Sequence, residues 1–163
     1  MFLMSADGSY IDLRIDGYQF PEHKAAGRQD WEANWLFIGG TVGGGDGETW
    51  SFRDPCLTTW EVRDLVQWLR EAAAGRVEPS DGLVEDGPAL AFLEPCLGLS
   101  VAESDGESRT IRVHLQCESA PPSHGLDPTA PSYGYSITLT LTPADLRTAA
   151  VAWEVMLSRY PER

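Results

Sequence analysis

A chain of 163 residues, 42% of them apolar, is long enough to bury about 70% of its unfolded surface in one core without metal or disulfide staples. Twenty-five acidic residues against twelve basic ones give a formal charge of −13, and Lys24 is the only lysine. That balance excludes nucleic acid and an anionic membrane as expected partners, because phosphate binding needs clustered cations, while it allows a basic protein partner.

Taken in order, residues 2–5 and 10–16 flank the turn Ala6-Asp7-Gly8-Ser9, and Ile11, Leu13 and Ile15 alternate with Asp12, Arg14 and Asp16. This is the pattern of a hairpin with one wet face. Residues 22–30 are polar and read as a surface loop, in which His23 is a lone histidine without an assigned task. Apolar residues on both phases of 34–42 predict a strand covered on both sides. The glycine run 43–47 lacks both GxGxxG order and the Lys-Ser/Thr of a phosphate loop, so a hairpin turn explains it.

The stretch 50–69 organises the rest. Trp50 and Phe52 alternate with Ser51 and Arg53 as a half-buried strand, and Asp54-Pro55 is expected to end it in a corner, since Pro55 fixes its own φ and restricts Asp54. Thr58 and Glu61 stand three apart as a capping box. Val62, Leu65, Val66, Leu69, Ala72 and Ala73 then recur at helical spacing up to Gly75. Asp54, Pro55, Cys56, Thr58 and Glu61 form the structural joint of this reading, with Asp54 expected to take up N–H groups at the helix start rather than to act as a catalytic carboxylate.

Residues 76–88 read as a surface linker between a first half, 1–75, and a second half, 89–163, of one domain. Apolar segments 89–93 and 97–103, then 109–117, predict strands, the last with Ile111, Val113, Leu115 and Cys117 inward and Arg112, His114 and Gln116 outward. Four prolines make 119–132 an extended loop. Tyr135, Ile137, Leu139 and Leu141 mark a clear strand. Thr142, Pro143 and Asp145 start a closing helix with the stripe Leu146, Ala149, Ala150, Trp153, Met156, Leu157 and Tyr160.

The expected class is α+β: about eight largely antiparallel strands, as a sandwich or partly closed barrel, with two amphipathic helices packed on them. The repeated order of strands followed by a Thr-capped helix suggests two similar lobes. The pair Asp54-Pro55-Cys56-Leu57 and Glu94-Pro95-Cys96-Leu97 does not fit that repeat, because the first is read as leading into a helix and the second into a strand. Six tryptophans at strand and helix spacing read as core rather than as a pocket lining.

No pattern carries a catalytic or cofactor assignment. Cys56, Cys96 and Cys117 are an odd, widely spaced set that suits reduced buried thiols. Zinc is not expected, since no CxxC pair exists and His114 and Cys117, three apart in a strand, point to opposite faces. The first ten residues lack the basic and apolar regions of a secretory leader, and no window approaches ~20 apolar residues, so a cytoplasmic location is expected.

GYQFP at 17–21, WEANWL at 31–36, WSFRDPCLTTWE at 50–61 and FLEPCLGL at 92–99 resemble the WapI family of bacterial immunity proteins, and the terminal LRTAAVAWEVMLSRYPER resembles their closing helix. The resemblance implies an antidote, free of cofactors and catalysis, that binds and blocks a contact-dependent toxin. A basic toxin domain would suit the charge, with Asp81, Glu85 and Asp86 in the linker and Glu103, Asp105 and Glu107 in a turn as contact candidates. The competing class is an enzyme or small-ligand binder with a pocket between sheet and helices, for which His114, Asp54 and Cys56 are the suspects. A structural subunit would instead show a large exposed apolar patch.

Overall fold

Strand alternation in the first half builds a four-stranded antiparallel sheet in chain order, β1 (Phe2–Met4), β2 (Tyr10–Tyr18), β3 (Trp35–Gly43) and β4 (Thr49–Thr58), with a four-residue helix α1 (Trp31–Asn34) before β3. A computed structural model describes residues 1–23, 30–45, 47–80, 82, 89–124 and 134–163. The second half repeats the plan with β5 (Leu90–Ala91), β6 (Leu97–Ser104), β7 (Arg109–Leu115) and β8 (Tyr135–Leu141), again antiparallel and in sequence order. Each sheet is followed by a 15-residue helix, α2 (Thr59–Ala73) and α3 (Pro143–Leu157). The expected α+β class is thus realised as two separate sheets, and among the described residues neither closes into a barrel.

Burial follows the sequence phase. In β2, Ile11, Leu13 and Ile15 are buried, whereas Arg14 is exposed and pairs with Asp16 at 2.9 Å on the wet face. The inner faces of both sheets and the apolar stripes of α2 and α3 join one continuous hydrophobic cluster, and the two helices pack on each other. Gly40 lets the Phe52 ring lie flat across β3, since a Cβ there would meet the ring at 2.2 Å.

Both long helices start with the same chemistry. Thr58 Oγ1 accepts from Glu61 N at 3.2 Å while Thr58 N donates to Glu61 Oε2 at 2.8 Å, and Thr142 and Asp145 repeat the reciprocal pair at 3.2 and 2.9 Å. Glu61 Oε1 also accepts from Leu93 N at 2.7 Å, so the cap of α2 holds the second half as well. Thr58→Ala is expected to cost about 1 kcal/mol, the usual worth of an N-cap hydroxyl, with little change in helix content; chemical denaturation followed by far-UV circular dichroism measures it.

Several local expectations need correction. Pro55 does not end the strand. β4 runs on to Thr58, and the register moves from Ile38 opposite Asp54 to Leu36 opposite Leu57, leaving Pro55 and Cys56 bulged against Phe37. A bulge is where a proline without an N–H fits inside a sheet, and the strand resumes beyond it. Asp54 consequently lies four residues before the N-cap Thr58 and caps nothing there, because Thr58 and Glu61 already do so.

Strand β3 is fully covered on one face and partly covered on the other. Leu36 and Ile38 are fully buried, but Trp35 and Phe37 are half-buried, the latter under the Arg53 guanidinium at 3.9 Å. Trp31 is 51% exposed and stacks edge-on against Trp60 at 5.0 Å, so it forms a rim and not core, whereas Trp50, Trp68 and Trp153 are buried.

His114 is not outward in any wet sense: it is 6% exposed. Ser80 is tied to the second sheet, its N donating to Val101 O at 2.8 Å and its carbonyl accepting from Arg112 at 2.7 Å. Cys117 leaves the strand altogether, sitting at φ 54° in the 3-10 turn Cys117–Ser119.

Candidate functional site

The two proline-cysteine motifs meet in space. Asp54 and Cys56 project from the bulge of β4, Cys96 stands immediately before β6, and the turn after β7 brings Cys117 and Glu118 alongside. The meeting is fixed from several directions. Trp50 Nε1 donates to Ser119 O at 2.9 Å, Gln116 N donates to Cys96 O at 3.1 Å, and Ser119 Oγ donates to the Cys96 carbonyl as well.

Cys96 is the hub. Its Sγ lies 3.7 Å from Asp54 Oδ2 and 3.8 Å from Glu118 Oε2, and a single S–H can serve only one of these carboxylates at a time. Among the described residues, Asp54, Cys56 and Cys96 are the one set of three or more His, Cys, Asp or Glu side chains whose donor atoms all lie within 4.8 Å of one another. Both cysteines are buried and Asp54 is half-buried, so the cluster sits just under the surface.

The electrostatics follow from crowding acids together. Hydrogen bonding to Cys96, then burial and the neighbouring negative groups, push the Cys56 thiol well up. Burial first, then Glu118, raises the Asp54 carboxyl, partly offset by its bond from Cys96. Burial followed by the same neighbours raises Cys117. Such thiols are protonated and poorly nucleophilic, which is unlike the activated cysteine of a hydrolase.

His114, the third suspect for catalysis, is not in this cluster. Its Nε2 lies 2.9 Å from Ser100 Oγ, and Ser100 is fully buried between β6 and β7, so the pair offers no exposed nucleophile. Desolvation, and secondarily Arg112, lowers the His114 pKa from 6.5 to about 4. Because the folded-state value is depressed, the unfolded chain takes up the proton first as pH falls; the neutral histidine's contribution is intact above about pH 6.5 and is lost toward pH 4. Stability is expected to fall across that window by at most about 1.4 kcal/mol per pH unit from this group. His114→Gln should flatten that component in urea titrations at stepped pH.

The acidic contact candidates divide. Asp81, Glu85 and Asp86 lie outside the described residues. Glu103, Asp105 and Glu107 are exposed at the β6–β7 turn. Asp105 is committed there, accepting from Glu107 N at 2.8 Å and Ser108 N at 2.6 Å, and those two backbone donors, with the Ser108 hydroxyl, hold its carboxyl below the usual range. Glu103 and Glu107 keep their carboxylates exposed to solvent.

Two features escaped the sequence reading. Arg109 is 7% exposed, and its Nε donates to Ala72 O at 3.1 Å, capping the end of α2 beside Gly75. A Cβ on Gly75, at φ +69°, would come within 2.9 Å of that guanidinium. A shallow groove of about 400 Å³ is lined by Asp64, Gln67, Trp68, Glu71, Arg76, Val77 and Leu90. Three of its polar groups are engaged with one another, since Glu71 accepts from Gln67 Nε2 at 2.6 Å and pairs with Arg76. No helix among the described residues is long and apolar enough to cross a membrane.

Compared with known proteins, the chain matches at residues 2–161 a family model described as the immunity protein WapI-like family. No curated protein and no solved structure matches it.

Proposed function

The chain belongs to the WapI-like immunity protein family, and from that premise we propose that it neutralises a cognate bacterial toxin in the cytoplasm by covering the toxin's active surface, making and breaking no bonds itself. The observation that carries this reading is the extent of the family match, which takes in both sheets and all three helices. Charge supports it. A net −13 steers the protein quickly onto a cationic nuclease-type domain and repels it from nucleic acid.

The proposed contact groups are Glu103, Asp105 and Glu107, together with Asp81, Glu85 and Asp86 on sequence grounds. The exposed Trp31, stacked on the half-buried Trp60, is a second candidate, because aromatic side chains anchor interfaces more strongly than loop acids do.

Co-expression with a candidate toxin domain taken from a neighbouring gene tests the proposal directly, reading growth rescue together with binding at two salt concentrations. Rescue is expected, with association slowed several-fold at the higher salt. The double change Glu103→Gln and Glu107→Gln is expected to reduce the association rate and its salt dependence with little effect on dissociation; Asp105 is left intact because it holds the turn. Failure of rescue, combined with turnover of a small substrate by the purified chain, would replace this reading with the enzymatic one.

A further inference from the structure

Asp54, Cys56, Cys96 and Glu118 bring two thiols and two carboxylates together from three separate stretches of chain, and neither carboxylate forms an ion pair among the described residues. We propose that this cluster is a structural zinc site, with Cys56, Cys96 and Asp54 as its fixed ligands and Glu118 as the fourth. This goes beyond immunity function and does not depend on it.

Backbone geometry places the ligands. The bulge at Pro55 and Cys56 interrupts the regular alternation of β4, and there the donor atoms of Asp54 and Cys56 lie within 4.8 Å of each other and of Cys96 Sγ. A tetrahedral zinc with Zn–S near 2.3 Å and Zn–O near 2.0–2.2 Å sets ligand–ligand edges of about 3.5–3.8 Å. The observed 3.7 Å from Cys96 Sγ to Asp54 Oδ2 and 3.8 Å to Glu118 Oε2 match those edges, and Cys56 Sγ, within 4.8 Å of both Asp54 and Cys96, needs only a side-chain adjustment.

Ligand chemistry selects the metal. Thiolate sulfur favours zinc over magnesium or calcium, which take oxygen alone, and the low coordination number suits a d¹⁰ ion without geometric preference. Binding releases both thiol protons to solvent, and the dication offsets carboxylates that otherwise face each other across Cys96. Because Asp54 and Cys56 belong to the first sheet while Cys96 and Glu118 flank strands of the second, the ion would join the two sheets.

The test uses the full chain, purified under reducing conditions, loaded with zinc and dialysed into metal-free buffer, and in parallel loaded with cobalt(II). About one zinc retained per chain, a thermal midpoint raised by zinc, and a thiolate-to-cobalt charge-transfer band are the expected results. Cys96→Ser should weaken the band to at most the share that Cys56 supplies. Should that variant fold poorly, Asp54→Asn preserves size and is expected to weaken cobalt binding by more than the roughly 10- to 100-fold that loss of a group supporting a ligand costs. Any of three outcomes overturns the site: no stoichiometric zinc after dialysis, cobalt bound without the charge-transfer band, or Asp54→Asn binding as tightly as the parent. Recovery of Cys56 and Cys96 as a disulfide in freshly lysed cells would overturn it as well, since an oxidised pair cannot ligate zinc.

Discussion

Trp153→Ala is expected to destabilise the fold by about 3–5 kcal/mol, the range for emptying a large buried aromatic site. Against a total of roughly 5–15 kcal/mol for a domain of this kind, that removes a large share of the margin. Trp153 is fully buried on the inner stripe of α3, beside Leu146, Ala149 and Ala150, and it is the largest side chain with no measurable exposure. Its Nε1 has no hydrogen-bond partner among the described residues, so the residue contributes through packing and its polar edge is a liability. Trp153→Phe should therefore cost only about 1 kcal/mol, because the smaller cavity is offset by removal of an unsatisfied donor. Urea denaturation of the three proteins measures both differences. A loss below about 1 kcal/mol for the alanine variant would show that the helix is anchored elsewhere.

Asn34→Ala is expected to cost about 2–3 kcal/mol, although the residue is small and polar. Asn34 is fully buried, and its amide makes four hydrogen bonds: Nδ2 donates to Asp30 O at 2.8 Å and Arg163 O at 2.9 Å, while Oδ1 accepts from Thr59 Oγ1 at 2.9 Å and Arg163 N at 3.0 Å. Truncation leaves those partners with incomplete bonding, and the loss is borne where α1, the start of α2 and the last residue converge. Asn34→Asp retains the acceptor but loses both donors and buries a charge, so it should be at least as damaging. Hydrogen exchange resolves the local effect: the amide of Arg163 should lose protection in either variant before the strands do.

Much of the architecture was legible because it rests on periodicity. The alternation in β2, β4 and β8 and the 3.6-residue stripes of α2 and α3 assign their own buried faces, and both Thr-started capping boxes were readable from spacing alone. The errors have one physical origin, which is that local pattern carries no information about what another segment lays over it. His114 has the phase of an outward residue and is buried, with its Nε2 against Ser100 of the neighbouring strand. Pro55 has the local signature of a strand end, yet pairing of Leu57 with Leu36 beyond it carries the strand through a bulge.

The cluster was invisible for the same reason. Cysteines at 56 and 96 lack ligand spacing in sequence, and positions forty apart come together only after both sheets form. The one available signal was the recurrence of an acid, proline, cysteine and leucine in the same order. Read as a repeat of secondary structure it fails, and read as two halves of one contact it succeeds.

Every strand in either sheet pairs only with its neighbours in the chain, and no crossover interrupts the order. Apart from the longer β2–β3 and β7–β8 connections the hairpins close short loops, and neither sheet must wait for a remote partner before it can start. A nascent chain that has extruded α2 already carries all four strands of its first sheet, so this half can condense during translation while the apolar side of α2 stays uncovered until α3 emerges. In that interval the half-made protein would present its stickiest surface, and chaperone dependence should track the delay between the two helices.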